Sequence, residues 1–138
     1  MTAITFATLP QRGLLGLGGP DAIEFLQNLI SNDVARLGPD TSLYGLLLTP
    51  QGKFLHDFFI ARLPQAVDGV DLVLDCEGGR IDDLERRLTM YRLRSEVTIA
   101  NLSDRYTVAA AFGGGALQAL GLSAEPGNTK PIGRGIAM

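Results

Sequence analysis

Lys53, His56 and Asp57 are the residues whose types and spacing invite a chemical reading. His56 and Asp57 stand inside Phe54-Leu55-His56-Asp57-Phe58-Phe59-Ile60, an otherwise apolar run. An imidazole beside a carboxylate is suited to acid–base work, and a nearby ammonium to holding an anion. Burying such groups unpaired is costly, so each must meet water, a partner or a ligand. A regular strand sends successive side chains to opposite faces, so His56 and Asp57 cannot form a direct dyad. Regular alternation sets Asp57 with Lys53, Leu55 and Phe59, and His56 with Phe54 and Phe58. A solvent-facing or locally bonded pair is the alternative to a site. Cys76, the single cysteine, ends a strand candidate and reads as a small core residue rather than a nucleophile. Arg86, Arg87, Arg92 and Arg94 form a basic cluster that suits nucleic acid, an anionic ligand tail or a solvated helix end.

These residues depend on the elements around them. The polar triplet lies on the second arm of a hairpin whose turn is Thr49-Pro50-Gln51-Gly52. Proline presets φ at the second position of a type I turn and glycine commonly fills the fourth. Upstream, strands are expected over residues 3–9 and 12–17. Pro20, Asp21 and Glu24 then favour a helix start, and Ala22, Phe25, Leu26, Leu29 and Ile30 follow at helical spacing, with an end near 31–33. After the hairpin, residues 64–69 read as a turn or short excursion and 70–76 as a strand. Ile81, Leu84, Leu88 and Tyr91 mark a second helix over about 79–91. Strands at 97–101 and 105–112, a short helix at 116–120 closed by Gly121, and a short strand within 132–137 complete the order. Hairpins with intervening helices imply an α+β fold, an antiparallel sheet with helices packed on one face.

At 138 residues the chain suits one ordinary domain, and 46% hydrophobic with 20% charged residues is a globular balance. Residues 1–122 are expected to form that domain, and 123–138 a tail or the start of a next subdomain. A net charge of −3 weighs against non-specific binding to nucleic acid or membrane surfaces. One His and one Cys are too few soft ligands for a structural zinc site, and no metal is expected. A lone cysteine fits a reducing compartment, bacterial cytoplasm or an organelle matrix. Two glycine motifs fail their tests. Gly16-Leu17-Gly18-Gly19-Pro20-Asp21 would put a carboxylate where a dinucleotide's pyrophosphate approaches, and Gly52-Lys53 lacks the other glycine and the hydroxyl of a P-loop.

Three segments in register carry a family resemblance. The first runs through Arg12-Gly13-Leu14-Leu15-Gly16 and Gly19-Pro20-Asp21-Ala22 to Phe25-Leu26-Gln27 and Asn32-Asp33-Val34. The second is the hairpin, with Tyr44, Gln51-Gly52-Lys53 and Asp57-Phe58. The third is Leu88, Tyr91, Leu93-Arg94 and Val97-Thr98-Ile99. Over residues 10–112 the chain resembles the YgfZ/T-protein family, with a spacing nearer to the YgfZ-like branch that supports iron–sulfur enzymes. The resemblance implies a tetrahydrofolate-binding protein related to the aminomethyltransferase of the glycine cleavage system, with iron–sulfur client proteins as partners. Family members run to twice this length or more, so the chain corresponds to their N-terminal part.

The resemblance implies a folate cavity lined by Tyr44, Lys53, His56 and Asp57, with Arg92 and Arg94 near an anionic tail. Two departures bear on the chemistry. The Lys-Gly-Cys segment of the YgfZ-like branch is absent, and Cys76 does not sit in such a motif. His56 takes the place of the first of two aspartates, the catalytic one in the T-protein, while Asp57 matches the second. Folate binding without group transfer is therefore the expected function. A folate-dependent aminomethyltransferase and a non-catalytic interaction module are its rivals. If half of a shared cavity is missing, the fragment should expose apolar surface and self-associate.

Overall fold

The structure, a computed structural model, describes residues 4–138. Strand β1 (Thr5–Thr8) pairs with a late strand outside the main sheet, and β2 (Arg12–Gly18) enters the sheet itself. Helix α1 (Ala22–Gln27) and a 3-10 turn at Val34–Arg36 precede β3 (Leu43–Leu48), β4 (Phe54–Val67) and β5 (Val70–Glu77). A second 3-10 turn leads into α2 (Ile81–Arg92), followed by β6 (Thr98–Asn101), β7 (Ala109–Phe112), α3 (Ala116–Leu120), β8 (Lys130–Ile132) and β9 (Gly135–Ala137). The main sheet is antiparallel with the order β3-β4-β5-β2-β6. The expected α+β class holds, with α1 and α2 on one face.

Period-two alternation divides the core between the two faces of the sheet. Leu15, Leu17, Phe58, Ile60, Leu72 and Leu74 meet Phe25 and Leu26 of α1 and Leu84 and Leu88 of α2. On the other face Ala61, Leu63 and Val73 gather with Leu102 and with Val70, which departs from the alternation at the start of β5. Tyr106 and Ile136 pack against them. Fully burying a side chain such as Phe58 contributes about 2–3 kcal/mol. Where β2 ends beside the start of β5 the backbones approach closely. A β-carbon at Gly18 would run into the carbonyl oxygen of Gly69 and come within 2.7 Å of Val70 Cα.

Several boundaries differ from the sequence expectation, each for a tertiary reason. Helix α1 ends at Gln27 rather than near 31–33, because Ile30 bridges Leu47 and Ser31 N–H donates to Leu46 O at 3.0 Å. In return Leu46 N–H donates to Ser31 Oγ and Asn32 Nδ2 to Tyr44 O, so residues 30–32 close the outer edge of β3. Strand β4 runs on through Pro64, with its register to β5 jumping between Arg62 and Val67, so the excursion expected at 64–69 is a bulge before a tight turn at Asp68-Gly69. Residue 3 of the first expected strand lies outside the described residues. The strand expected over 105–112 is confined to Ala109–Phe112, where it pairs with β1.

The final segment folds back as the β8–β9 hairpin. Ser42 N–H donates to Gly127 O, Thr129 N–H donates to Asp40 O, and Ile136 joins the second core cluster.

Candidate functional site

The β3–β4 hairpin forms around the expected turn. Gly52 N–H donates to Thr49 O at 2.8 Å, Lys53 N–H to Thr49 Oγ1 at 3.0 Å, and Gly52 takes a φ of 85°, which glycine alone accepts without strain. One residue beyond the turn the register slips: His56 faces Leu47 and Phe54 faces Leu48, leaving Leu55 as the extra residue. Leu55 packs with the helix-covered cluster.

That bulge, together with the pleat, separates the four expected cavity residues. Asp57 lies opposite Leu46, and Tyr44 lies opposite Phe59, on the face away from α1 and α2. Tyr44 Oη donates to Asp57 Oδ2 at 2.7 Å, and the Tyr44 and Phe59 rings stand 5.2 Å apart at a tilt of 54°. Tyr44 and Phe59 remain 46% and 44% exposed, which leaves an aromatic surface beside a carboxylate open to solvent. The hydrogen bond to Asp57 raises the Tyr44 phenol above its ordinary pKa, with partial burial and the Asp57 charge adding to it and Arg12 opposing.

His56 stands on the other face of the sheet from Asp57. It is 3% exposed, on the helix-covered side, and Nε2 donates to Asp83 Oδ2 of α2 at 2.8 Å. Arg87 Nε also donates to Asp83 Oδ2 at 2.8 Å, and Arg86 Nη2 donates to Oδ1. Arg87, then His56 and Arg86, hold the Asp83 carboxyl well below the usual range, so it is ionised and the Nε2 proton resides on the imidazole. His56 is thus bonded within the protein, to a carboxylate 27 residues on in the chain.

Lys53 is not brought to the Tyr44 face either. The slip at Leu55 sets Phe54, rather than Lys53, on Asp57's side, and Lys53 is exposed at the turn. Arg92 Nη1 donates to Val97 O at 3.3 Å, and Arg94 lines a shallow depression of about 690 Å³ with Asp21, Leu93 and Ser95 at the end of α2. Both arginines therefore sit with the helices, apart from Tyr44 and Asp57. Cys76 is buried, its Sγ donates to Gly13 O at 3.5 Å, and burial pushes the thiol up to about 11.

The sequence reading missed Arg12 and Asp75. Asp75 lies in register between Phe59 and Leu14 and is 7% exposed. Arg12 Nε donates to Asp75 Oδ1 and Arg12 Nη2 to the Asp75 carbonyl, both at 2.9 Å. The available signal was Asp75 itself, a carboxylate inside the apolar strand Val70–Glu77 that needs a cation.

The profile of the GCVT N-terminal domain matches residues 12–126. The chain belongs to the GCVT N-terminal domain family. It is 34% identical over 114 residues to the mitochondrial iron–sulfur cluster assembly factor IBA57 homolog of Mycosarcoma maydis, covering 77% of this chain and 28% of that protein. With the mitochondrial iron–sulfur cluster assembly factor IBA57 of Mus musculus it shares 32% identity over 106 residues, 70% of this chain and 30% of the relative. Among solved structures, glycine cleavage system aminomethyltransferase T from Bartonella henselae superposes with a TM-score of 0.70 at 22% identity, over 88% of this chain and 33% of that one. The GCVT N-terminal domain described here thus spans about a third of the length of these relatives. The superposition supports the family fold, and the iron–sulfur relatives agree with the branch to which the sequence spacing pointed.

Proposed function

We propose that this chain is the N-terminal portion of an iron–sulfur cluster assembly factor whose Tyr44–Asp57–Phe59 face forms one wall of a reduced-folate site. The identity to the two assembly factors supports the first half of the reading. The second half is carried by one observation, the Tyr44–Asp57 hydrogen bond set beside an exposed aromatic ring. These residues fit a flat heterocycle bearing N–H groups. Asp57 Oδ1 is a carboxylate acceptor beyond the Tyr44 bond, and the Phe59 ring offers a stacking surface. Such a group would be bound and oriented here. His56, at the position of the T-protein's catalytic carboxylate, is committed to Asp83 on the other side of the sheet, which favours binding over aminomethyl transfer.

Calorimetric titration of tetrahydrofolate into the protein as naturally expressed tests the folate half, with Asp57→Asn expected to weaken binding about tenfold or more. Undiminished affinity in that variant removes Asp57 from the site, and no binding by the wild type removes folate. Depletion in cells is expected to lower the activity of iron–sulfur enzymes. Unchanged enzyme activities would leave the folate reading standing and sink the assembly role.

A further inference from the structure

The Tyr44–Phe59–Asp75–Leu14 register row runs across four strands on the face opposite α1 and α2. The neighbouring row contains Leu46, Asp57 and, farther across, Glu77 and Arg12. Arg12 is therefore on the face that carries Tyr44 and Asp57, and it acts electrostatically on the Tyr44 phenol. Its side chain is not a free surface cation. Two of its nitrogens, Nε and Nη2, are fixed on Asp75, which is buried and anchored in the middle of the sheet. Such a two-point hold fixes the plane of the guanidinium. Among the described residues no acceptor is recorded for Nη1, and the side chain keeps 24% exposure. A preoriented cationic donor thus shares a face with a carboxylate acceptor, Asp57, and with the Tyr44–Phe59 aromatic pair.

We propose that Arg12, positioned by Asp75, is the donor that reads a ring carbonyl of the ligand, while Asp57 accepts from the ring's N–H groups. The pair selects heterocycles with a lactam-type edge, a carbonyl beside an N–H, over analogues with an amino group in the carbonyl's place. The inference rests on the folate reading and adds to it a specificity residue and the ligand feature it recognises. A 4-amino group presents donors to a cation that can only donate, so the analogue loses the bond and leaves the guanidinium unpaired.

The test compares tetrahydrofolate with its 4-amino counterpart, tetrahydroaminopterin, by calorimetry under reducing, oxygen-free conditions on the naturally expressed protein. The wild type is expected to favour the 4-oxo ligand by about ten- to a hundredfold, the range of one charge-assisted hydrogen bond. Arg12→Met is expected to reduce that preference by weakening tetrahydrofolate more than the 4-amino ligand. The remainder comes from the ring N–H that donates to Asp57 and that the analogue lacks. Because Arg12→Met leaves the Asp75 carboxylate buried and unpaired, Arg12→Met/Asp75→Asn serves as the second variant, with thermal melts confirming that it folds. Equal weakening of both ligands, or an unchanged ratio in either folded variant, overturns the role of Arg12 and leaves the folate reading intact. If the wild type binds neither ligand, both readings fall together.

Discussion

His56 Nε2 donates to Asp83 Oδ2 at 2.8 Å, so the second strand of the hairpin is tied to α2 through a side chain 3% exposed. Asp83 is also the convergence point of Arg86 and Arg87. Removing His56 leaves a void between β4 and α2 and takes one donor from a carboxylate. His56→Ala is expected to destabilise the fold by about 2–4 kcal/mol, as core truncations do, measured by urea unfolding.

Asp83 also gives the fold an acid limit. Its carboxyl is held below the ordinary range, so its contribution is complete above the unfolded aspartate pKa and is lost as pH falls through the folded value. Melting temperature should therefore fall toward acid pH more steeply in the wild type than in Asp83→Asn. Parallel pH profiles would show that Asp83 carries no such linkage.

Tyr44 has the opposite sign. Its phenol is raised by the Asp57 bond, so it stays protonated beyond the usual tyrosine range, and the stability that follows is lost as pH rises through the folded value. Spectrophotometric titration of wild type minus Tyr44→Phe should isolate a late-ionising tyrosine, shifted back by Asp57→Asn. A difference curve with the ordinary tyrosine midpoint would mean that the hydrogen bond is not held in solution.

Leu93 occupies the second position of a turn closed by Ser95 N–H donating to Arg92 O at 2.8 Å, with φ 47° and ψ −111°. That conformation belongs to a type II′ turn, which favours glycine, and the leucine side chain is 87% exposed. Leu93→Gly is expected to stabilise the protein by about 1 kcal/mol in thermal or urea unfolding. A loss of stability would show that the exposed leucine packs against something in solution.

Cys76 should behave as a packing residue. With its thiol pushed up to about 11, roughly one in a thousand is ionised at pH 8. Labelling by iodoacetamide in the folded protein should be far slower than in urea, and equal rates would mean that the strand opens readily.

Hydropathy periodicity made most elements legible in the sequence, because α2 and the strands β2 to β5 each present an apolar face that must be covered. The turn at 49–52 was equally readable from Pro50 and Gly52, whose backbone preferences act locally. Boundaries set by distant pairing were not. The end of α1 depends on Ile30 meeting Leu47, and the length of β7 on its partner β1. The candidate site was half legible. Asp57 and Tyr44 stood out as polar groups on a hairpin, but one inserted residue, Leu55, moved Lys53 to the wrong side. His56 found its partner 27 positions away, and Arg12 found Asp75 at 63, separations that no local pattern encodes.

Residues 30–32, which occupy the hydrogen-bonding edge of β3, have a bearing on assembly. An open edge beside Tyr44 would be a template for strand addition by another chain, the usual route to uncontrolled oligomers. Here Ser31 and Asn32 already take up Leu46 and Tyr44 backbone groups. A strand adding along that edge would have to displace these bonds, which favours recognition beside the aromatic face through side chains over extension of the sheet.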